Sequence, residues 1–271
     1  ARDIVKSIIE LDKYDVKILP QRWGDTPTDF INNHSNWSFL KPLCIPNLTA
    51  KPDIWMQITI PSEFQPVGNY NIGCTAGIES TGCASSWIDG LNKMDLNLVS
   101  SEHSKKVFSD IKFEQKDKQT NQVVNIIKLE KPIEVIFEGV DLDTYFYKKP
   151  QDVTLDLKEI DEAFCYLFVG HWMNGAFGHD RKNVGLMVRN FFEAFKNKKS
   201  QPALILKACI GRNSYISREE LLQRIKVIKT QYPKGTKLPN VYIFNGNLSD
   251  TQMNDLYNHP KVKSMVSFTK G

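Results

Sequence analysis

The stretch "CYLFVGHW" (165–172), a glycine-rich loop and the stretch "RKNVGLMVRNFFEAFKN" (181–197) follow one another and decide the fold class. Residues 165–172 are an apolar run with the length of a buried strand. In 181–197, Val184, Met187 and Phe191 recur at helical spacing, so this stretch predicts a helix with one apolar face. A strand that leads into a helix is the first part of a βαβ unit, whose two strands run parallel.

The same alternation continues to the end of the sequence. Strands are predicted at "ALILKACIG" (203–211), "NVYIFNG" (240–246) and "KSMVSFTKG" (263–271). A helix is predicted at "REELLQRIKVIKTQY" (218–232). Strands that alternate with helices in this way indicate a parallel sheet.

Serine residues mark where several helices should begin. Ser217 with Glu220, and Ser249 with Gln252, have the spacing of a capping box, in which each side chain bonds the other residue's backbone N–H. We therefore expect one helix to begin after Ser217 and another after Ser249. Ser101 is a predicted N-cap of a helix in the first half of the chain.

The first half alternates less regularly. Helices are predicted at 4–14 and 102–111, and the polar stretch 112–131 is predicted to be a surface insertion. Strands are predicted at "DVKILP" (15–20), "DIWMQITIP" (53–61), "DLNLVSS" (95–101) and "IEVIFEGVD" (133–141).

A break in the apolar rhythm at 144–163 predicts a linker between two domains, 1–150 and 151–271. The fold class is therefore predicted as α/β, with two Rossmann-like domains that each contain a mainly parallel sheet. In open sheets of this kind, ligands bind at the carboxyl ends of the strands. We expect the ligand site there, in a cleft between the two domains.

Composition limits the classes of function. The 271 residues carry a formal net charge of +4 without a block of like charges, so we expect a small anionic ligand and no nucleic-acid partner. Five cysteines without a C-x-x-C pair predict no disulfide framework, a reducing compartment and a cytoplasmic location. No apolar run reaches the roughly 18 residues of a transmembrane helix.

The loop within "GHWMNGAFGHDRKNVG" (170–185) could hold a metal or a phosphate. His171, His179 and Asp180 are metal-binding residue types, but the histidines are eight positions apart and lack the spacing of a helical metal motif. The glycines also lack the G-x-G-x-x-G spacing of a dinucleotide fingerprint. We therefore expect no metal cofactor.

The phosphate interpretation has a physical basis. The loop follows a strand and precedes a helix, whose free N–H groups and positive dipole end attract anions. With Asp180 as the predicted N-cap, Arg181 and Lys182 would lie in the first turn of the helix. Cations there oppose the helix dipole, and a bound anion would reverse that effect. Two solvated surface cations are the alternative.

Several segments together resemble a known enzyme family. The second half resembles, in order, the donor-binding half of GT-B glycosyltransferases of the group 1, family 4-like class, at "FVGHW", "DRKNVGLMVRNFFEAF", "PALILKACIG", "NVYIFNGNLSDTQMNDLY" and "VSFTKG". The first half resembles the acceptor-side domain of the same enzymes, at "TIPSEFQP", "NIGCTAGIES", "WIDGLNKMDLNLVSSEHSKKVF" and "EGVDLDTYF".

This resemblance implies two Rossmann-like domains that close over a nucleotide-diphosphate sugar. It implies transfer of the sugar, with retention at the anomeric carbon and without a bound metal, to a glycan, lipid or protein acceptor. A non-catalytic sugar- or nucleotide-binding module derived from such an enzyme is the alternative function.

The resemblance also implies a donor-diphosphate site in the second domain. Lys182 matches the family's lysine at the start of the first donor-domain helix, with Arg181 beside it. Lys207, at the end of "LILK", is expected to face the same cleft. The family often has an arginine directly after the glycine that matches Gly170, whereas this chain has His171, so Arg181 is expected to replace that charge.

Other residues are expected around the donor and acceptor. Asn245, Gly246 and Asn247 match the turn that usually lies against the nucleobase. Glu79 follows a strand in a glycine-rich loop and is the candidate catalytic residue, in contact with the acceptor or the donor sugar. A solvated loop carboxylate is the alternative for Glu79.

Two parts of the family pattern are missing from the sequence. The glutamate pair in a run beginning "EGFG" would start after Gly271, and the first strand of the acceptor-side domain would precede Ala1. We therefore expect this chain to be a fragment of a longer glycosyltransferase, with both domains incomplete.

Overall fold

The computed structural model forms two compact units, residues 1–138 and 139–271. Both units are α/β, and each contains a four-stranded parallel sheet, as the sequence predicts. The structure describes residues 1–21, 31, 35–117, 119–175, 177, 179–211 and 213–269.

The sheet of the first unit has the strand order β1-β2-β3-β6, and β4 and β5 form a separate antiparallel pair. Short 3₁₀ helices lie at Ser35–Leu43 and Pro61–Glu63. The core between the sheet and the helices contains Phe64, Ile88 and Phe108. The elements are α1 (Arg2–Glu10), β1 (Ile54–Ile58), β2 (Tyr70–Thr75), α2 (Ser85–Leu91), β3 (Leu96–Val99), α3 (Glu102–Asp110), β4 (Lys112–Lys116), β5 (Val123–Lys128) and β6 (Ile133–Val135).

Of two predictions for this unit, one is confirmed in outline and the other is wrong. The stretch 112–131 lies at the surface, as predicted, and it forms a β-hairpin, because its β-branched residues favour a strand and Ile127 pairs with Phe113. The predicted strand at 15–20 makes a single parallel bridge, from Ile18. Pro20 has no N–H to continue such a ladder.

The second unit is a doubly wound sheet with the strand order β10-β7-β8-β9. A 3₁₀ turn at Pro150–Asp152 precedes it. Strands β7 and β8 pair in continuous register, from Cys165 opposite Ala203 to His171 opposite Cys209. The elements are β7 (Cys165–His171), α4 (Val184–Phe195), β8 (Ala203–Cys209), α5 (Tyr215–Lys229), β9 (Val241–Ile243), α6 (Asp250–Asn258) and β10 (Val262–Met265).

Both faces of this sheet are covered. Helices α4 and α5 pack on one face, where Phe192 and Ile225 contact the cluster around Phe168. Helix α6 packs on the other face, where Leu256 joins Leu167. The first connections place β8 and β9 on one side of β7, and the connection through α6 then places β10 on the other side. The direction in which strands are added therefore reverses beside β7. Open α/β sheets bind ligands at such a reversal.

The capping predictions have mixed outcomes. Ser249 and Gln252 form the predicted capping box at the start of α6, and Ser101 caps α3. The box at Ser217 is wrong, because α5 begins one turn earlier with Ser214 as its N-cap. The Ser217 hydroxyl instead accepts from the Ile210 N–H at 2.8 Å, so it holds the end of β8 and does not cap the helix.

A buried carboxylate ties the stretch before β7 to the second unit. Asp255 on α6 accepts from the Lys148 ammonium, from the Thr154 N–H at 3.0 Å and hydroxyl at 2.7 Å, and from the Leu155 N–H at 3.2 Å. Its side chain is 1% exposed. The stretch predicted as a linker is therefore bound to α6.

This clamp makes stability depend on pH on the acid side. The hydrogen bonds from Lys148 and Thr154 lower the pKa of Asp255 from 3.8 to about 2. Because the pKa of Asp255 is lower in the folded state, the clamp contributes its full stability above pH 3.8, the ordinary pKa of the carboxyl group. This stability is lost as the pH falls through about 2. We expect the difference in free energy of unfolding between the parent and Asp255→Asn to shrink across this window, as measured by urea denaturation. A constant difference would contradict the clamp.

Candidate functional site

A cleft of about 510 Å³ opens at the carboxyl ends of β7 and β8 in the second unit. It contains four residues that the sequence assigned to the donor site, together with others that it did not. The lining residues are Val169, Gly170, His171, Lys207, Ala208, Cys209, Gly211, Asn213, Asn247 and Met253.

Lys207 supplies the positive charge of this cleft. Its Nζ donates to the Gly246 carbonyl at 2.6 Å, which holds the ammonium and uses one of its three N–H groups. Among the described residues, no carboxylate lies within ion-pair distance of it. Burial lowers the pKa of Lys207, because the cleft only partly hydrates the charge. The two remaining N–H groups can bind an anion.

His171 and Cys209 lie side by side at the ends of the two strands. The Cys209 Sγ is 3.3 Å from the His171 Nδ1, as their opposed positions in the strand register require. Burial raises the pKa of the Cys209 thiol, so it stays protonated at neutral pH. When the thiol donates to Nδ1, the imidazole carries its own proton on Nε2 and can offer that N–H to a ligand.

The loop after β9 is tied to the loop after β8. The Asn213 amide donates to the Asn247 side chain, and the Gly246 N–H donates to the Asn213 Oδ1 at 3.4 Å. The Asn245 amide donates to the Ala208 carbonyl at 3.2 Å, so Asn245 fixes the loop. Gly246 has φ +129°, which favours glycine at this turn. These bonds hold one wall of the cleft in place.

The start of α4 differs from the prediction. Its N-cap is Asn183, with φ 47°, and the helix begins at Val184. Arg181 and Lys182 therefore lie in the turn before the helix, so the prediction that they occupy its first turn is wrong. Asparagine tolerates the left-handed conformation at this position, and the Asn183 amide donates to the Phe268 carbonyl at 3.2 Å instead of capping the helix. Neither Arg181 nor Lys182 is among the residues that line the cleft.

Asp180 faces a different cavity from His171. It lies with Trp172 and Phe177 at a cavity of about 470 Å³, and it is 3% exposed. Its Oδ1 has no hydrogen-bond partner among the described residues. His179 is exposed on the same loop. Across the described ranges, no three His, Cys, Asp or Glu side chains gather as a metal site.

Arg224 on α5 holds the loop that follows β7. Its guanidinium donates to the carbonyls of Trp172 at 3.2 Å and Met173 at 3.1 Å, and to the Asn174 Oδ1 at 3.0 Å. It also lies 5.7 Å from the Trp172 ring centroid. No sequence motif marks Arg224, Cys209 or Asn213 as site residues. Cys209 lies opposite His171 only through the register of β7 and β8, and no local pattern marks it as a site residue.

Glu79 lies in the first unit, in the loop after β2. This loop is held against α3, because the Ile78 N–H donates to the Ser104 Oγ at 3.1 Å and the His103 Nε2 is 3.2 Å from the Ser80 carbonyl. The Glu79 side chain is exposed. Its catalytic role stays a prediction.

Comparison with known proteins adds no assignment. No family model matches the chain, and no curated protein and no solved structure gives a match. Of the helices in the described ranges, none has the length and apolarity required to cross a membrane.

Proposed function

We propose that this protein is a glycosyltransferase that transfers a sugar from a nucleotide-diphosphate sugar to a glycan, lipid or protein acceptor. The observation that carries the proposal is the cleft at the carboxyl ends of β7 and β8, with the Lys207 ammonium held at its wall. In doubly wound sheets this position binds nucleotides and other phosphorylated ligands. The proposal includes a GT-B arrangement of two Rossmann-like domains.

The proposed chemistry needs stabilisation of the leaving diphosphate. Lys207 offers two N–H donors and a charge, and His171 offers its Nε2–H. Partial burial strengthens both interactions, because less water competes for the phosphate oxygens. The reaction would then proceed without a metal and with retention at the anomeric carbon. Glu79 is the proposed contact of the first unit with the acceptor or the donor sugar.

The nucleoside would lie against the loop after β9. The Asn213–Asn247 pair and Gly246 form this wall, and its hydrogen bonds fix it before a ligand arrives. A wall that is already ordered loses little entropy on binding.

A non-catalytic binding module is the second candidate. It is favoured by one observation, namely that none of the described residues lining the cleft is a carboxylate. Such a cleft can bind a nucleotide-diphosphate sugar without supplying a base.

Calorimetric titration with UDP- and GDP-sugars, followed by a turnover assay with EDTA present, tests both candidates. The transferase proposal expects binding of one donor class, competition by the free nucleotide diphosphate, and turnover that EDTA does not abolish. Binding without turnover supports the module. The transferase proposal is contradicted if no nucleotide binds, or if EDTA abolishes the activity.

A further inference from the structure

The ends of α4 and α5 carry a surface of unpaired lysines in the second unit. We call it the lysine face. All six side chains are exposed, and none of them has a carboxylate within ion-pair distance among the described residues. The lysine face consists of Lys198, Lys199, Lys226, Lys229, Lys234 and Lys237.

Hydrogen bonds bring the segments of this face together. The Asn197 N–H donates to the Lys237 carbonyl at 2.7 Å, and the Lys237 N–H donates to the Asn197 Oδ1 at 2.9 Å. Gln201 donates to the carbonyls of Phe195 and Lys237. Lys229 lies over the Phe192 ring at 5.9 Å. The chain after α4 and the chain after α5 therefore form one continuous surface.

Few negative charges lie in these segments. Residues 194–218 and 221–249 contain no aspartate or glutamate. Glu193, at the end of α4, is engaged by Lys196 at 2.6 Å. Glu162, which contacts the start of β9, accepts from Asn240 and Tyr242. The partners of Glu162 are neutral and do not cancel its charge, and Asp161 also lies near Tyr242, so the six lysines outnumber these two carboxylates.

Helix capping accounts for only part of this charge. Lys226 and Lys229 lie in the last turn of α5, where cations complement the helix dipole. Lys198 and Lys199 come after α4, and Lys234 comes after α5, beyond the turn in which that effect acts. Their positions need another reason.

We propose that the lysine face binds an anionic lipid bilayer. Clustered lysines attract the negative surface of such a membrane without requiring defined contact geometry. Leu222, 37% exposed and one turn before Lys226 on α5, adds apolar surface for the headgroup region. A nucleic-acid partner fits less well, because the rings here, Phe192 and Tyr232, pack against each other at 5.9 Å and are not offered to bases. The proposal goes beyond the glycosyltransferase proposal and does not rest on it.

Vesicle co-sedimentation tests this assignment. The parent should bind vesicles of phosphatidylcholine with about 30% phosphatidylglycerol, and not pure phosphatidylcholine, with affinity that falls as salt rises. Replacing Lys198, Lys199 and Lys234 together by glutamine should weaken binding by about 100-fold, since each lysine near the membrane contributes roughly fivefold.

A matched triple variant is the control. Lys112→Gln, Lys116→Gln and Lys128→Gln remove the same charge from exposed hairpin positions in the first unit. Their vesicle binding should stay within about twofold of the parent, allowing for the change in net charge. Equal loss in both variants, or no preference of the parent for anionic vesicles, overturns the proposal. Tighter binding of single-stranded RNA than of vesicles, lost in the lysine-face variant, would assign the face to nucleic acid instead.

Discussion

Replacement of Lys207 by methionine is expected to weaken binding of a nucleotide diphosphate by about ten- to a hundredfold. The change keeps the apolar stem packed and removes the ammonium, so the loss measures its hydrogen bonds to phosphate, worth about 1.5–3 kcal/mol. Calorimetric titration with UDP and GDP gives the dissociation constants. Burial lowers the pKa of Lys207, so its ammonium loses the proton at a lower pH than an ordinary lysine does. As the pH is raised, the affinity of the parent for nucleotide diphosphate should therefore begin to fall earlier than it would with an ordinary lysine.

Lys182→Met is the informative companion of this variant. The diphosphate was assigned to Arg181, Lys182 and Lys207, and of these three residues only Lys207 lines the cleft. We expect Lys182→Met to bind nucleotide diphosphate within about threefold of the parent, because Lys182 does not line the cleft. Loss of binding in Lys182→Met with normal binding in Lys207→Met would show that the cleft is not the diphosphate site.

Asp255→Ala is expected to lower the free energy of unfolding of the second unit by about 3–5 kcal/mol. Removing one partner of a buried ion pair leaves the other charge uncompensated, here Lys148, whose side chain is 14% exposed. The N–H groups of Thr154 and Leu155 lose their acceptor as well. Urea denaturation measures this loss, analysed for two transitions because two units can unfold separately.

Asp156→Ala is the matched control for the clamp. Asp156 pairs with Lys158 at 2.9 Å, but both side chains are exposed, so the expected change is within the error of the measurement. Asp255→Asn provides a milder variant if the alanine variant does not fold. The clamp is disproved if Asp255→Ala is as stable as Asp156→Ala.

Local patterns predicted much of the second unit. The apolar runs at β7 and β8 and the periodicity of α4 follow from burial of whole faces, and the capping box at Ser249 depends on residues three positions apart. The start of α4 was missed because Asn183 adopts a left-handed conformation that no local pattern requires. The hairpin at 112–131 was not predicted because its strands are mostly exposed, so polar residues occupy positions that a buried strand would give to apolar ones.

The cleft was predictable only in part. Lys207 was placed there by its position at the end of a strand, but its bond to Gly246 joins residues 39 positions apart. The contact between His171 and Cys209 depends on the register of two strands, which the sequence alone does not specify. The lysine face was missed for the same reason. Its lysines are dispersed along the chain and become neighbours only when the ends of α4 and α5 meet.

The clamp at Asp255 has a consequence for the order of folding. Its hydrogen bonds to Lys148, Thr154 and Leu155 span 107, 101 and 100 positions of the chain. During synthesis, the stretch around Lys148 leaves the ribosome long before α6 is made. Lys148, Thr154 and Leu155 therefore cannot bind Asp255 until the intervening elements, including β7, α4 and β8, have been synthesised. Contacts between such distant positions close late and slow the folding of a domain. The second unit should therefore become fully stable only after α6 has been synthesised.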